Sequence, residues 1–322
     1  MSGDEYSLLR RAYEADRQRR DAAFRALTVR PAFHAGQAYP RDPAQLRAFL
    51  DAMLALAPAA EPQPLARLIA PHIDLRLGAE VYAHAHQRLA SAPKPDMVVL
   101  LGVCHAFTTR RFIACRKDFA TPLGRVRHDA PFLDALEARL GEDLEIDVGM
   151  HLEEHSVEFQ ALWLTHLWPE QTPTIAPILM GSVEDLIRSG GSPSGDPELE
   201  RFIAALRRTI AEDPRRVVVI ASVDLAHVGP VYDHAGGLDE RGERALQQAD
   251  HLLLESVEAG DAEGFFDRLA LEENARQVCG TAPVYVTLRL GDGPGELLRY
   301  GQGRIHPESG SVVSFAALGF EK

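Results

Sequence analysis

Three short apolar runs along the chain predict buried β-strands. They are LARLIA at 65–70, DMVVLLGV at 96–103 and RVVVIASV at 216–223. Each run is continuously apolar rather than alternating, which is typical of strands buried on both faces of a parallel sheet. TIAPILMG at 174–181 and SVVSFAALGF at 311–320 are further strand candidates.

Stretches with helical spacing separate these runs. DPAQLRAFLDAMLALA predicts a helix capped by Asp42 with Pro43 at its first position. The other helical stretches are AEVYAHAHQRLA, DAPFLDALEARL, EFQALWLTHLW and ELERFIAALRRTIAED, whereas RSGGSPSGDPE and GDGPGE are the clearest breaks. The alternation of strand and helix predicts an α/β fold, a single three-layer α/β/α domain at residues 29–322 with a mostly parallel central sheet.

An N-terminal helical extension is predicted for residues 1–28, because residues 4 to about 28 contain no Gly or Pro and many arginines. Its basic face could bind a partner or an acidic surface. The favoured interpretation is a solvated helix packed on its own domain or on a second subunit, so a homodimer is one expectation.

Composition and charge narrow the functional classes. The 322 residues are 46% hydrophobic and 25% charged, as in soluble globular proteins. The net charge of -13 disfavours nucleic acid and anionic lipid as partners. Because no run approaches the roughly 18 apolar residues of a membrane span and the N-terminus lacks a secretory apolar region, we expect a cytoplasmic protein. Cys104, Cys115 and Cys279 are expected to be reduced thiols, of which one can be a ligand.

Polar groups follow each of the three apolar runs directly. The first run leads to His72, the second to His105, and the third to Asp224 and His227. Ligands bind outside the carboxyl ends of parallel strands, so these groups predict one pocket. A lone histidine after a strand is more often a hydrogen-bonded loop residue, but the threefold repetition weakens that alternative. The spacing is not that of a zinc finger or an HExxH helix.

The residues alone leave the roles of two further groups undecided. Cys279 opens CGTAPVYVTLRL, where a helix N-terminus would lower the pKa of its thiol, although a small buried apolar residue is equally consistent. In EEHSVEFQALWL, Glu154, His155 and Glu158 could donate an acid or base to the pocket. Capping of the helix is the favoured interpretation of that segment.

At these residues the chain resembles the Memo-like family, also called AmmeMemoRadiSam system protein B. The likeness runs in order from about residue 30 to 319, through HAGQAYP, IAPHIDL, LGVCH, TPLG, EEHSVEFQ, SVDLAHVG, CGTAP and VSFAALG. The family's fold is similar to that of class III extradiol (LigB-type) dioxygenases. The resemblance therefore implies a LigB/phosphorylase-like α/β domain.

The resemblance also implies site roles. In the family a pocket metal is bound by the residues that match His72, His105 and Cys279, while Asp224 and His227 match its Asp and His of the SSDxxH motif. The chain departs from the family at Asp74, after the first ligand, and at Cys104, where Ser is usual. Side chains expected around the ligands are Asp74, Cys104, His155 and Glu158.

Three functional classes remain, of which the resemblance implies the first two. The first is a redox enzyme or dioxygenase-like protein on an unknown small molecule, with iron(II) as the first expected metal and copper as the redox-active alternative. Zinc is a further possible occupant of the site. In it His227, oriented by Asp224, would be the acid/base. The second is a non-catalytic accessory protein that works with AMMECR-type and radical-SAM partners. The third is a metal-dependent hydrolase.

Overall fold

The computed structural model describes residues 3–306 and 308–321, with the side chains of the first helix described from residue 13 onward. The helices are α1 (Gly3–Ala26), α2 (Pro43–Leu54), α3 (Ala79–Ser91), α4 (Ala130–Leu140), α5 (His155–Leu167), α6 (Glu184–Ser189), α7 (Pro197–Glu212), α8 (Glu240–Glu258), α9 (Ala262–Leu271) and α10 (Thr281–Arg289). The strands are β1 (Arg67–Ala70), β2 (Met97–Val103), β3 (Phe112–Ala114), β4 (Phe119–Thr121), β5 (Gly124–Val126), β6 (Thr174–Met180), β7 (Val217–Ser222), β8 (His227–Val228), β9 (Gly295–His306) and β10 (Ser311–Phe320). A 3-10 helix spans Val148–His151.

The central sheet has a parallel core and antiparallel edges. Among the described residues it has eight strands, in the order β3-β6-β2-β7-β1-β10-β8, with β9 paired to β10. Strands β6, β2, β7 and β1 are parallel to their neighbours within this group. Strands β3, β8, β9 and β10 pair antiparallel. The predicted α/β fold with a mostly parallel core is confirmed, within a sheet that is mixed as a whole.

Helices cover both faces of the sheet because its central strands bury both rows of side chains. In β2, Val98 and Leu100 pack into the core on the side of α2, α3 and α5. Val99 and Leu101 pack into the opposite core, with α7, α8 and α10. A strand buried on both faces needs no polar alternation, which is why β1, β2 and β7 read as continuous apolar runs.

The sequence predicts one of the two strands of the antiparallel C-terminal hairpin. Strand β10 coincides with a predicted strand, but its partner β9 was not predicted. Most β9 side chains are exposed or half-buried, so its sequence GELLRYGQGRIH carries no continuous apolar run. Helices α8 and α9 in the preceding segment were also not predicted.

Local capping follows the sequence where polar residues precede a helix. Asp42 caps α2 by accepting a hydrogen bond from the Gln45 N–H at 2.9 Å, with Pro43 at the first position as predicted.

Among the described residues, no helix combines the length and the apolar character needed to cross a membrane.

Helix α1 packs on its own chain, against the 3-10 helix. Arg17 forms an ion pair with the buried Asp147 at 3.0 Å. The Gly149 N–H donates to Asp21 Oδ1 at 2.7 Å, and a Cβ at Gly149 would lie 2.7 Å from the backbone of Arg20. A glycine is therefore needed for this close approach. The domain boundary at residue 28 stays a prediction.

Candidate metal centre

The parallel core brings together, at the carboxyl ends of its strands, the residues that follow three adjacent strands. His72 follows β1, His105 follows β2, and Asp224 follows β7, which lies between the other two strands. This is the convergence that the positions of the apolar runs predict.

His72 is held on both its backbone and its ring. The side chain is only 1% exposed. Its N–H donates to Asp224 Oδ1 at 3.0 Å, and its ring Nδ1 lies 2.9 Å from the Ser222 carbonyl oxygen. Since a carbonyl oxygen can only accept, Nδ1 must carry the proton, and Nε2 is left with a free lone pair.

His105 is held in the same way by a carboxylate. Its ring Nδ1 lies 3.0 Å from Glu154 Oε1 and 3.0 Å from Oε2, and its N–H donates to Glu154 Oε2 at 3.0 Å. Glu154 also caps α5 by accepting from the Ser156 N–H at 2.9 Å. The favoured capping interpretation thus holds for Glu154, which contacts His105 at the same time.

Cys279 completes the first group of metal-binding side chains. Its Sγ lies 3.6 Å from His72 Nε2 and 3.5 Å from the Asp224 carbonyl oxygen. The ligand atoms of His72, His105 and Cys279 all lie within 4.8 Å of one another. We call this set the thiol trio.

A second set shares His105. Atoms of His105, Glu154 and His155 that could bind a metal also lie within 4.8 Å of one another. The rings of His105 and His155 stack with their centroids 4.8 Å apart, and His155 Nδ1 is 3.4 Å from Glu154 Oε1. We call this set the carboxylate trio.

Burial and hydrogen bonding set different proton affinities within the site. Burial lowers the pKa of His72 to about 3, which keeps its imidazole neutral at neutral pH. Burial also lowers the pKa of His155 well below its usual range. For His105, burial alone would lower the pKa, but the hydrogen bonds and charges of Cys279 and Glu154 together raise it. For Glu154, burial alone would raise the pKa of its carboxyl, but the hydrogen bond and charge of His105, the charge of His155 and the hydrogen bond from Ser156 together lower it.

The thiol of Cys279 differs from the expectation. The helix α10 begins at Thr281, two residues after it, as the sequence predicts. Nevertheless, burial raises the pKa of the Cys279 thiol, and the hydrogen bond with His105 only partly offsets this rise. The expected lowering by the helix N-terminus is therefore wrong, because loss of solvation outweighs it. Formation of the thiolate would have to be coupled to binding of a cation.

Asp224 and His227 lie at the same edge but have separate partners. Asp224 Oδ1 accepts from the N–H groups of His72 and Ile73, and burial raises the pKa of its carboxyl to about 6. His227 Nδ1 lies 3.1 Å from the Leu225 carbonyl oxygen and 3.2 Å from that of Gln277. The ring of His227 is thus oriented by backbone carbonyls, whereas Asp224 orients the backbone that carries His72.

The other predicted neighbours of the ligands lie at different distances from the site. Cys104 is half-buried, its thiol donates to the Ala106 carbonyl, and burial raises its pKa to about 12. Asp74 accepts a hydrogen bond from the backbone N–H of Arg76 and forms an ion pair with the guanidinium of the same residue. Glu158 pairs in the interior with Arg30 and with the Tyr39 hydroxyl. Of the four expected neighbours, His155 has its ring stacked on a ligand.

The loop that delivers Cys279 was not foreseen. Glu273, Asn274 and Gln277 all have positive φ between 47° and 52°. Such conformations are strained for residues other than glycine and occur at functional sites. Asn274 fixes the loop by accepting from the Val278 N–H at 2.9 Å and by donating to Glu184. The segment contains no Gly or Pro, and Asn274 is the single residue in it that favours a turn.

Two cavities meet at His105. A cavity of about 760 Å³ is lined by His105 and Cys279 together with residues 180–184, 273–274 and 277–278. A smaller cavity of about 270 Å³ is lined by His105, Glu154 and His155, with Arg20 of α1 on its wall. The His105 side chain, 37% exposed, lines both cavities.

Comparisons with known proteins agree on one family. The family model described as Memo-like protein matches residues 30–319. A MEMO1 family protein of Methanopyrus kandleri is 30% identical over 304 residues, which cover 89% of this chain and 97% of that protein. A MEMO1 family protein of Aquifex aeolicus is 29% identical over 292 residues, 89% of this chain and 71% of that protein. A MEMO1 family protein of Thermus thermophilus is 32% identical over 241 residues, 75% of this chain and 64% of that protein.

Proposed function

The chain belongs to the Memo-like protein family, and from this premise we propose that it is a metal-dependent redox protein whose metal is bound by the thiol trio. Iron(II) is the first candidate and copper is the redox-active alternative, whereas zinc would fit the same donor set without redox chemistry. One observation carries the proposal: the ligand atoms of His72, His105 and Cys279, which are far apart in sequence, lie within 4.8 Å of one another.

The contacts behind each imidazole fit a metal ligand. The Nδ1 atoms of His72 and His105 face a carbonyl oxygen and a carboxylate, respectively. Metal-binding histidines almost always donate their second ring N–H to such an acceptor, which fixes the tautomer and orients the ring. Two imidazoles and one thiol are a donor set that suits iron, copper and zinc rather than calcium or magnesium.

A redox-active ion bound there would supply electron transfer and Lewis acidity to a small molecule at the site. The cavity of about 760 Å³ beside His105 and Cys279 is large enough to hold that molecule. His227 can accept a proton at Nε2, because its Nδ1 is engaged with backbone carbonyls and burial lowers its pKa. Asp224 holds His72 in place through the backbone N–H groups.

Elemental analysis with anaerobic spectroscopy tests the metal site. Protein as purified, and after challenge with iron(II), copper(I) and zinc, is compared with His72→Ala. We expect a bound metal in the unaltered protein and a large loss in the variant. Protein that stays empty after all three challenges would contradict the proposal.

An oxygen electrode tests the redox activity. We expect the iron(II)-loaded protein to consume oxygen with a substrate from a panel of catechols, and His227→Ala to lose most of that rate. Metal binding without oxygen consumption, together with copurification of a radical-SAM or AMMECR-type protein, would instead favour the accessory function.

A further inference from the structure

Gln160 lies behind the metal site, on α5, with no exposed surface. Its Nε2 donates to the Pro71 carbonyl oxygen at 2.9 Å and to Ser222 Oγ at 2.9 Å. Pro71 immediately precedes His72, and the Ser222 carbonyl oxygen accepts from the His72 ring at 2.9 Å. One amide group therefore contacts both the backbone that carries His72 and the residue that orients its ring.

The hydrogen bonds allow the Gln160 amide only one orientation. Ser222 Oγ donates its single proton to the Ser156 carbonyl oxygen at 2.5 Å, so it must accept from Gln160. The Pro71 carbonyl oxygen can also only accept. Both partners therefore require the amide nitrogen, and Oε1 must face the opposite side.

A buried histidine occupies that opposite side. Gln160 Oε1 lies 3.2 Å from His86 Nε2, while His86 Nδ1 lies 2.8 Å from the Tyr82 carbonyl oxygen, which can only accept. Burial lowers the pKa of His86 to about 4, so its neutral ring carries one proton, which the shorter contact places on Nδ1. The ring stacks on Trp163 with centroids 4.3 Å apart and an interplanar angle of 15°. His86 and Trp163 thus enclose the acceptor end of the Gln160 amide without donating to it.

We propose that Gln160 is a positioning residue that sets the place of the His72 ring through Pro71 and Ser222. The inference rests on the proposed function for its consequence, which is the geometry of the thiol trio. Both N–H donors of the amide are satisfied inside the protein, and their hydrogen bonds to Pro71 and Ser222 hold the amide nitrogen in one arrangement. Loss of the amide would leave His72 with its own hydrogen bonds to Asp224 and Ser222 but without the support behind Pro71 and Ser222.

The test compares Gln160→Met, which keeps the length of the side chain and removes its hydrogen bonds, with Ser222→Ala. The second variant keeps the carbonyl oxygen that accepts from His72 and leaves the proposal testable if the first does not fold. Leu206→Ala on α7 is the matched control, because it destabilises the opposite core without touching this network.

Co²⁺ alone is the first probe. We expect Gln160→Met to bind Co²⁺ about 10- to 100-fold more weakly than the unaltered protein, as when other groups behind a metal ligand are removed. Its thiolate charge-transfer and d–d bands should also shift. Ser222→Ala should show a smaller change in the same direction. Leu206→Ala should lower thermal stability and leave both bands in place.

Long-range ¹H–¹⁵N spectra of metal-free, ¹⁵N-histidine-labelled protein supply a readout that needs no metal. In the unaltered protein we expect the His72 proton on Nδ1. In Gln160→Met the His72 signals should shift or divide between two tautomers. The signals of His151, whose Nε2 contacts the Ile113 carbonyl oxygen at 2.9 Å, should stay unchanged.

The two readouts separate this inference from the proposed function. Shifted His72 signals with no Co²⁺ binding even in the unaltered protein would support the positioning role and contradict the proposed metal site. Unchanged His72 signals in both variants would overturn the positioning role, whatever the Co²⁺ titration gives.

Discussion

The thiol trio and the carboxylate trio share His105 yet differ in what their remaining atoms contact. In the thiol trio, His72 Nε2 and Cys279 Sγ face each other at 3.6 Å, while the opposite ring nitrogen of His72 faces a backbone carbonyl. In the carboxylate trio, both oxygens of Glu154 already accept hydrogen bonds from His105 and Ser156. A cluster of potential ligands is therefore available to a metal only where its lone pairs are free of other partners.

This difference indicates separate roles for the two sets in metal binding. The thiol trio would bind the metal, and Glu154 would act behind it by holding His105. His155 would shield the outer face of the His105 ring by stacking. Substitutions in the two sets test this division, and we expect the largest effect from loss of the Cys279 thiol.

Cys279→Ser should lower metal affinity by more than about 100-fold, because it removes a ligand, the thiol of the trio. This loss is larger than the roughly 10- to 100-fold loss that is usual when a group behind a ligand is removed. Metal content after dialysis, measured by elemental analysis, checks this. Cys104→Ser is the matched control, since its thiol lies in the neighbouring segment and donates to the Ala106 carbonyl. Equal losses in both variants would contradict the ligand assignment.

Glu154→Gln should lower metal affinity by about 10- to 100-fold. The amide keeps one acceptor oxygen but removes the charge that holds His105 Nδ1–H. A chelator-competition titration gives the affinity, and circular dichroism shows whether α5 has kept its cap. A loss as large as that of Cys279→Ser would indicate that Glu154 is itself a ligand.

Gly280→Ala should weaken metal binding by about tenfold and destabilise the fold by about 1–3 kcal/mol. A Cβ at this position would lie 2.7 Å from Val223 Cβ and 2.9 Å from the Asp224 carbonyl oxygen. The segment that carries Cys279 would have to move away from the end of β7. Thermal denaturation combined with the same titration separates the two effects. Gly236→Ala is the matched control, because neither glycine has a left-handed φ and a Cβ at Gly236 meets nothing within 4 Å.

His155→Ala should change metal affinity by less than about threefold, because in this account its ring only stacks on His105. The titration used for Glu154→Gln measures it. If instead His155→Ala abolished binding while Cys279→Ser retained it, the metal would belong to the carboxylate trio and the comparison would be reversed.

The sequence predicted the central parallel strands and the residues at their carboxyl ends better than it predicted the loops. Strands β1, β2 and β7 were readable because their side chains are buried on both faces, and His72, His105 and Asp224 follow them directly. Strand β9 was missed because its half-exposed side chains leave no apolar pattern.

Residues brought to the site by tertiary packing could not be read in the same way. Cys279 stayed undecided without the family resemblance, since it is delivered by a loop whose positive φ values occur at residues other than glycine. Gln160 lies within a helical stretch and resembles any other polar position there. Its role depends on contacts with Pro71 and Ser222, which are 89 and 62 residues away in sequence.

X-ray absorption at the K-edge of the bound metal tests the central claim most directly. For the unaltered protein the account predicts one sulfur neighbour at about 2.3 Å for zinc, together with imidazole nitrogens at about 2.0–2.1 Å. The sulfur contribution should disappear in Cys279→Ser and persist in Cys104→Ser. A first coordination shell without sulfur in the unaltered protein would contradict the assignment of the metal to His72, His105 and Cys279.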